Sequence, residues 1–387
     1  MTSPAHPAKA STPVRMLPVD DVMHYGRMRV AAAAAAQWPG ATIVLASHVP
    51  SVTSYVRRLT IDRKPFVAKF SFLGKSLSSV LRGDHGIWDE VKAAQAVYES
   101  RAGHLLERQA VQYALLRTAG LGAPRPMLHD GVLFTEEVTG RTLGELVVQR
   151  PTRSGDLLIG VMRELEALVR DRTVPAIARE AAIPACTVTA TFERKFTRDP
   201  LPDGVLGDVV GRLRERAAAH PVTDTGGVVF GDLKPEHVLV TGNSGRPVFL
   251  DPGLSTGPGI LDVAKLVSRL VLHTMSSRPR NPQRIVAGIN DASQLLARRG
   301  PMPSGEWLQQ LVLLWAMDTA CLIHTVRTAP AMLPLPAHLS ALDSVEPLAL
   351  VLIDRMARAL EAITDGNRLW MLVLDYTTEA INRTISR

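Results

Sequence analysis

VVFGDLKPEHVLVTGNSGRPVFLDPG, residues 228–253, is the stretch on which the reading of this chain turns. Its order is strand, sharp loop, strand, glycine-rich turn (TGNSG, 241–245), strand and acidic end. Asp232 lies in the loop before HVLV, and Asp251 closes VFL, the strand that pairs back on it. A hairpin of this kind presents both carboxylates at its open end, 19 positions apart in sequence. Two aspartates alone could equally cap turns. Here Lys234, His237 and the proline-shaped loop at Pro235 accompany them, which points to a built site.

Upstream, ATIVLAS (41–47), TSYVRRLTI (53–61) and FVAKFSF (66–72) carry β-branched and aromatic residues, with a polar turn at Asp62–Pro65. PMLHDGVLFTEEV (126–138) predicts a second hairpin with Asp130-Gly131 at its turn. Between them, residues 87–100 and 105–119 have helical spacing, with Ile87, Val91, Ala94 and Val97 on one face and Leu106, Ala110 and Tyr113 on the other helix's face. After Gly140 the pattern becomes long helices. Loops are expected at 151–156 (PTRSGD), 276–283 (SSRPRNPQ) and 328–338 (TAPAMLPLPAH). LVLLWAMDTACLIH and LALVLIDRMARAL read as core helices, with Asp318, Asp343, Glu346 and Asp354 as candidates to line a binding pocket.

The fold class expected is α+β: an N-terminal lobe of antiparallel sheet plus helices, followed by a larger, mostly helical C-terminal lobe. The division is a disordered tail at 1–18, an N-lobe at 19–138 with an inserted segment at 71–104, and a C-lobe at 139–387. The alanine run Ala31–Ala36 is too short and too deep in the chain for a signal peptide and reads as a surface helix. With 387 residues, 46% of them hydrophobic, the chain can bury a substantial core. No stretch reaches the roughly 18 uninterrupted apolar residues of a membrane span. Cys186 and Cys321 stand far apart with no metal-ligand spacing, so neither a disulfide framework nor a zinc site is signalled, and a reducing cytoplasm is the expected compartment. A net charge of +7 favours anionic partners in general, yet no nucleic-acid motif or aromatic interleaving accompanies it. The arginines at 278, 280, 284, 298 and 299 fit a solvated helical face. Gly74-Lys75-Ser76 fails as a P-loop, because the first glycine of that pattern would fall on Lys69.

GDLKPEH (231–237) resembles the catalytic loop of the aminoglycoside phosphotransferase and choline kinase-like family, and more distantly that of the protein kinases. The resemblance implies a two-lobed protein-kinase-like fold. It puts Asp232 on the catalytic base, Lys234 beside it, His237 on the metal-binding asparagine, and Asp251 of Asp251-Pro252-Gly253 on the metal-binding aspartate. Asp262, in GILDVAKL, falls on the aspartate that braces the catalytic loop. VAKF (67–70) resembles the strand whose lysine holds nucleotide phosphates, here Lys69; its partner glutamate on the next helix is assigned to Glu107, with Glu90 as the rival. Glu136, Glu137 and Val138 fall on the hinge whose backbone binds adenine. The pattern departs at three places. SHVPSVTSY (47–55) lacks the glycines of a phosphate-covering loop, Phe230 stands where many members have histidine, and His237 replaces the asparagine as either a metal ligand or a loop brace.

What the resemblance implies is transfer of the γ-phosphoryl group of ATP, with GTP as the alternative donor, to a hydroxyl of a small molecule such as an antibiotic or secondary metabolite. Magnesium is the implied ion, with manganese as the alternative favoured by an imidazole ligand. Phosphoryl transfer needs neutralised phosphate charge, a bridging cation and an oriented hydroxyl, and Lys69 with Lys234, Asp251 with His237, and Asp232 answer those needs in turn. The competing readings are a kinase-like binding protein without turnover and, on charge alone, a nucleic-acid binder.

Overall fold

The computed structural model describes residues 16–170, 174–197, 201–222, 227–241 and 245–385. The expected tail at 1–15 and the centre of the TGNSG turn, 242–244, lie outside the described residues. Of the remainder of that tail, Leu17 is buried in the N-lobe core, and its N–H donates to the Leu81 carbonyl at 2.9 Å, so Leu17 belongs to the folded lobe.

Helix α1 (Val19–Gln37) leads into strands β1 (Ile43–Val49), β2 (Tyr55–Ile61) and β3 (Lys64–Phe70). Helices α2 (Leu77–Leu81), α3 (Trp88–Glu99) and α4 (Leu105–Thr118) follow, then β4 (Pro126–His129) and β5 (Val132–Glu136). The sheet is antiparallel in the order β1-β2-β3-β5-β4. Both tight hairpins have two central residues with positive φ, Asp62 and Arg63 in one and Asp130 and Gly131 in the other, the turn whose twist matches paired strands. The first turn is one step tighter than the sequence suggested, because Lys64 and Pro65 already pair with Ile61 and Thr60. The alanine-rich helix is not merely a surface element. Val30, Ala33 and Ala34 are buried in the N-lobe core, where small side chains let the helix approach closely. Helix α3 buries Val91 and Gln95 and leaves Ile87 and Val97 exposed, because Gln95 serves the Leu73 N–H (2.7 Å) and the Ser71 carbonyl (3.2 Å).

The helical lobe runs β6 (Arg141–Thr142), α5 (Leu143–Gln149), α6 (Ser154–Leu165), α7 (Ala167–Arg170), α8 (Val174–Glu180), α9 (Val188–Phe196) and α10 (Val205–Ala219). The strands β7 (Val228–Val229), β8 (Val238–Val240), β9 (Pro247–Phe249) and β10 (Ser255–Thr256) carry the candidate site. Then come α11 (Ile260–Ser277), α12 (Pro282–Arg299), α13 (Ser304–Arg327), α14 (Ala337–Ser340), α15 (Leu342–Ala362) and α16 (Gly366–Ile385). The expected loop at 151–156 is instead a 3₁₀ turn at Pro151–Arg153 running directly into α6; proline at a first helical position starts a helix as readily as it ends one. Helix α13 is buried along most of its length and forms the axis of the C-lobe core.

A later segment also crosses between the lobes. The segment from Thr328 to Ser340, between α13 and α15, sends Leu333 into the N-lobe core, where it is 3% exposed. Its Thr328 carbonyl accepts from Arg82 Nη1 at 3.4 Å, and His338 Nε2 lies 3.2 Å from Glu236 Oε1 of the GDLKPEH loop. The lobe division at residue 138 therefore follows the chain but not the packing.

Candidate active site

The two aspartates meet for a reason more specific than a hairpin end. Gly231 has φ +79°, and a Cβ there would lie 2.1 Å from the Gly253 carbonyl oxygen, so only glycine lets the two segments cross. Gly253 N–H donates to the Phe230 carbonyl at 3.1 Å, and Leu250 N–H donates to the His237 carbonyl at 2.8 Å. Beyond them β8 and β9 pair in register, Val238 with Phe249 and Leu239 with Val248. Phe230 is fully buried against Phe249, ring centroids 5.6 Å apart, so a packing residue occupies this position. From below, Asp262 accepts from the N–H groups of Phe230 (2.6 Å) and Gly231 (2.7 Å), the bracing contact expected of it. Burial pushes its carboxyl up to about 6 in spite of those bonds.

Asp232 is held from two sides. Lys234 Nζ lies 2.7 Å from Oδ2 and Lys265 Nζ lies 2.8 Å from Oδ1. Burial would raise this carboxyl, but Lys234 and Lys265, with His237, hold it well below the usual carboxylate range. His237 Nδ1 is 3.0 Å from the Asp232 carbonyl oxygen. A carbonyl only accepts, so Nδ1 carries the proton of that bond and Nε2 keeps its lone pair. Nε2 faces Asp251 Oδ2 at 3.9 Å. Burial and then Lys234 hold the imidazole below its ordinary 6.5, which favours the neutral ring at neutral pH, whereas at the acid pH where the two carboxyls titrate it is charged. One ring nitrogen thus bonds the loop backbone, and the other faces Asp251.

Asp251 Oδ1 is taken by Lys69, which reaches across from β3, and by Gln109 Nε2 at 2.6 Å, leaving Oδ2 towards His237. Burial pushes the Asp251 carboxyl up, and Lys69 and His237 outweigh it, so it stays below 3.8. One ligand atom each from Asp232, His237 and Asp251 lie within 4.8 Å of one another, so the three can share a cation. Two carboxylates and a neutral imidazole suit a divalent ion that takes both oxygen and nitrogen.

The ion pair expected between Lys69 and Glu107 does not form. Glu107 Oε2 accepts from the Gly103 N–H at 2.6 Å and so serves the start of its own helix, while Glu90 does the same for Ile87 at 3.0 Å. The cleft face of α4 is made by residues that the sequence reading missed. Gln109 also donates to the Pro252 carbonyl (3.1 Å), Tyr113 Oη accepts from the Asp251 N–H (2.7 Å), and Gln112 bonds both the N–H (2.9 Å) and the carbonyl (3.0 Å) of Leu254. At the hinge, Glu136 pairs with Phe66, Glu137 N–H donates to the Pro65 carbonyl at 3.1 Å, and the Glu137 side chain binds Arg58 at 2.7 Å, so that amide is committed to the sheet. Val138 is half-buried at the same edge. Of the proposed acceptor-pocket carboxylates, Asp318 is buried against Arg269 and Ser268, Glu346 is tied to Arg327 and Asp354 to Arg358, while Asp343 is exposed. A cavity of about 520 Å³ lies on the helical side, lined among others by Thr187, Glu193, Arg214, Ser255, Leu313 and Met317.

No protein-family model matches this sequence, and no curated protein matches it. Among solved structures, the chain is similar to an amicoumacin kinase in complex with AMP-PNP, Ca²⁺ and Ami, with a TM-score of 0.52 at 11% identity, covering 90% of this chain and 97% of that one. It also matches an ethanolamine kinase of Plasmodium vivax (TM-score 0.48, 10% identity, 87% and 88% covered). A third match is a GDP complex of an aminoglycoside 2'-phosphotransferase (TM-score 0.47, 13% identity, 87% and 97% covered). The first likeness establishes the fold, the two-lobed protein-kinase-like architecture expected from the sequence. Among the described residues, no helix is long and apolar enough to cross a membrane.

Proposed function

We propose that this chain is a phosphotransferase that moves the γ-phosphoryl group of a nucleoside triphosphate, ATP in the first instance, to a hydroxyl of a small molecule. The observation that carries this reading is the convergence of Lys69 from the N-lobe sheet on Asp251, beside the Asp232–Lys234 loop. A nucleotide lying between the lobes would meet Lys69 with its phosphates and the edge at Glu136–Val138 with its base. Asp232 would orient the acceptor hydroxyl and take up its proton, and Lys234 would neutralise charge on the transferred group. Asp251 and His237 would hold a divalent cation, which supplies charge neutralisation across the phosphate chain. The similar structure with the higher fold likeness is named for a kinase of a small molecule, amicoumacin, which supports a small-molecule acceptor; an antibiotic or secondary metabolite, in resistance or biosynthesis, is the class we propose.

Nucleotide turnover measured with magnesium against a panel of hydroxylated antibiotics and amino alcohols tests the reading. Acceptor-dependent release of the nucleoside diphosphate with stoichiometric phosphorylation of one hydroxyl supports it. Nucleotide binding with no transfer to any acceptor, or to water, supports a binding protein instead.

The metal contact carries its own expectation. With Nε2 facing Asp251, manganese should sustain turnover at least as well as magnesium, and His237→Asn should shift the preference towards magnesium, since an amide oxygen suits the harder ion. Titration of both ions on the parent and the variant decides this, and an unchanged manganese-to-magnesium ratio removes His237 from the coordination sphere.

A further inference from the structure

Helix α11 carries three charged residues at i, i+3 and i+7, Asp262, Lys265 and Arg269, each one directed at a different partner. Asp262 takes the backbone of the catalytic loop and Arg269 takes Asp318. Nothing in the phosphotransferase chemistry calls for the middle one. Lys265 is 3% exposed, and its ammonium reaches three acceptors: Asp232 Oδ1 at 2.8 Å, the Gly231 carbonyl at 3.1 Å and the Cys186 carbonyl at 2.5 Å. An ammonium has three protons, so every donor is used and the group has a single orientation.

The two lysines on Asp232 are not equivalent. Lys234 is 19% exposed at its side chain and holds Oδ2, while Lys265 is 4% exposed at its side chain and holds Oδ1. The first stands on the loop facing the cleft, and the second is anchored in the core by two backbone carbonyls. We infer that Lys265 is the positioning residue of Asp232: it fixes Oδ1 and the carboxylate plane, so that Oδ2 alone is presented to the acceptor hydroxyl. It also ties the segment that carries Cys186 to the catalytic loop, so the wall over Asp232 and the carboxylate itself are set by one side chain. The kinetic consequence rests on the phosphotransferase reading, whereas the coupling of the two residues does not.

A cycle of Lys265→Met, Asp232→Asn and the double variant tests this, with kcat, the nucleotide KM and the melting temperature as readouts. Lys265→Met should lower kcat by about 10²-fold through misplacement of the carboxylate. It should leave the nucleotide KM within about threefold, the signature of an interaction that matters in the transition state. Lys265→Arg, which keeps a cation on Oδ1, should recover at least about a tenth of the parent kcat if charge placement is the role. In the Asp232→Asn background the methionine should cost no further turnover, because the group it positions is gone. The double variant should also melt above Asp232→Asn, since a neutral pair replaces a buried ammonium that has lost its counter-charge. Equal kcat losses in both backgrounds, or a double variant that melts no higher than Asp232→Asn, overturn the inference. If Lys265→Met does not fold, a folded double variant supports the pairing and an unfolded one overturns it. Should the parent transfer phosphate to no acceptor, the phosphotransferase reading falls, and the melting arm still decides whether Lys265 and Asp232 act as a pair.

Discussion

Asp232→Asn should lower phosphoryl transfer by about 10²- to 10⁴-fold while the nucleotide still binds, the usual worth of a positioned acid or base. The amide keeps the shape and can still accept at one oxygen from Lys265, but it cannot take the proton of the acceptor hydroxyl. The substitution also leaves Lys265, buried and fixed by carbonyls, without the carboxylate it pairs with directly, so a lower melting temperature should accompany the kinetic loss. The two effects separate on measurement: nucleotide affinity reports the cleft, melting reports the buried charge, and turnover reports the chemistry. Turnover within about threefold of the parent would take Asp232 out of the mechanism.

The largest loss of stability is expected from Asp318→Ala, about 3–5 kcal/mol, the range for removing one partner of a buried ion pair. Asp318 has a side chain 1% exposed and binds Arg269 through two bonds, Nε to Oδ2 at 2.7 Å and Nη2 to Oδ1 at 3.1 Å, with Ser268 Oγ donating at 2.8 Å. A planar guanidinium facing a carboxylate in this way loses a bidentate partner when the carboxylate is deleted. Burial pushes the Asp318 carboxyl up and Arg269 more than offsets it, so the group ionises below 3.8. Its stabilising contribution is therefore present above 3.8 and is lost as the pH falls through the lowered value. Asp262 has the opposite sign. Raised to about 6, its contribution is fully present below 3.8 and is lost as the pH rises through about 6. Urea unfolding at pH 7 and at successively lower pH checks both points. Asp318→Ala should lower the midpoint at pH 7 and flatten the fall at the acid end, and a loss below about 1 kcal/mol at pH 7 would show that the pair is not a buried ion pair in energetic terms.

The parts of the site that are local in sequence could be read from it. The hairpin that carries Asp232 and Asp251, the two turns with Asp62-Arg63 and Asp130-Gly131, and the contact of Asp262 with the Gly231 N–H each depend on residues close together or on a short pattern with few physical solutions. The choice of Glu107 failed because of helical geometry. At about 100° per residue, Glu107 and Gln109 stand some 200° apart on α4, so only one of them can face the cleft. Leu106, Gln109, Gln112, Tyr113, Leu115 and Leu116 are the buried residues of α4, and Glu107 is not among them. The periodicity of Leu106 and Tyr113, already visible in the sequence, was the signal that places glutamine and tyrosine against Asp251. Lys265 was harder to find, because a lysine three residues beyond an aspartate on a helix ordinarily looks solvated. Its role comes from Cys186 and Gly231, which lie far away in the chain.

The insertion of Leu333 into the N-terminal core bears on how the polypeptide matures at the ribosome. Residues leave the exit tunnel in order, and every strand of the sheet, through Glu136, is synthesised about 200 residues before Leu333. At ordinary translation rates of about 5–20 residues per second, that interval is on the order of 10–40 s. Until then the N-terminal core lacks the side chain that Leu333 contributes to it, and apolar surface left exposed in this way is the kind that chaperones bind. A chain released before residue 328 would lack that side chain permanently, however well its strands had paired.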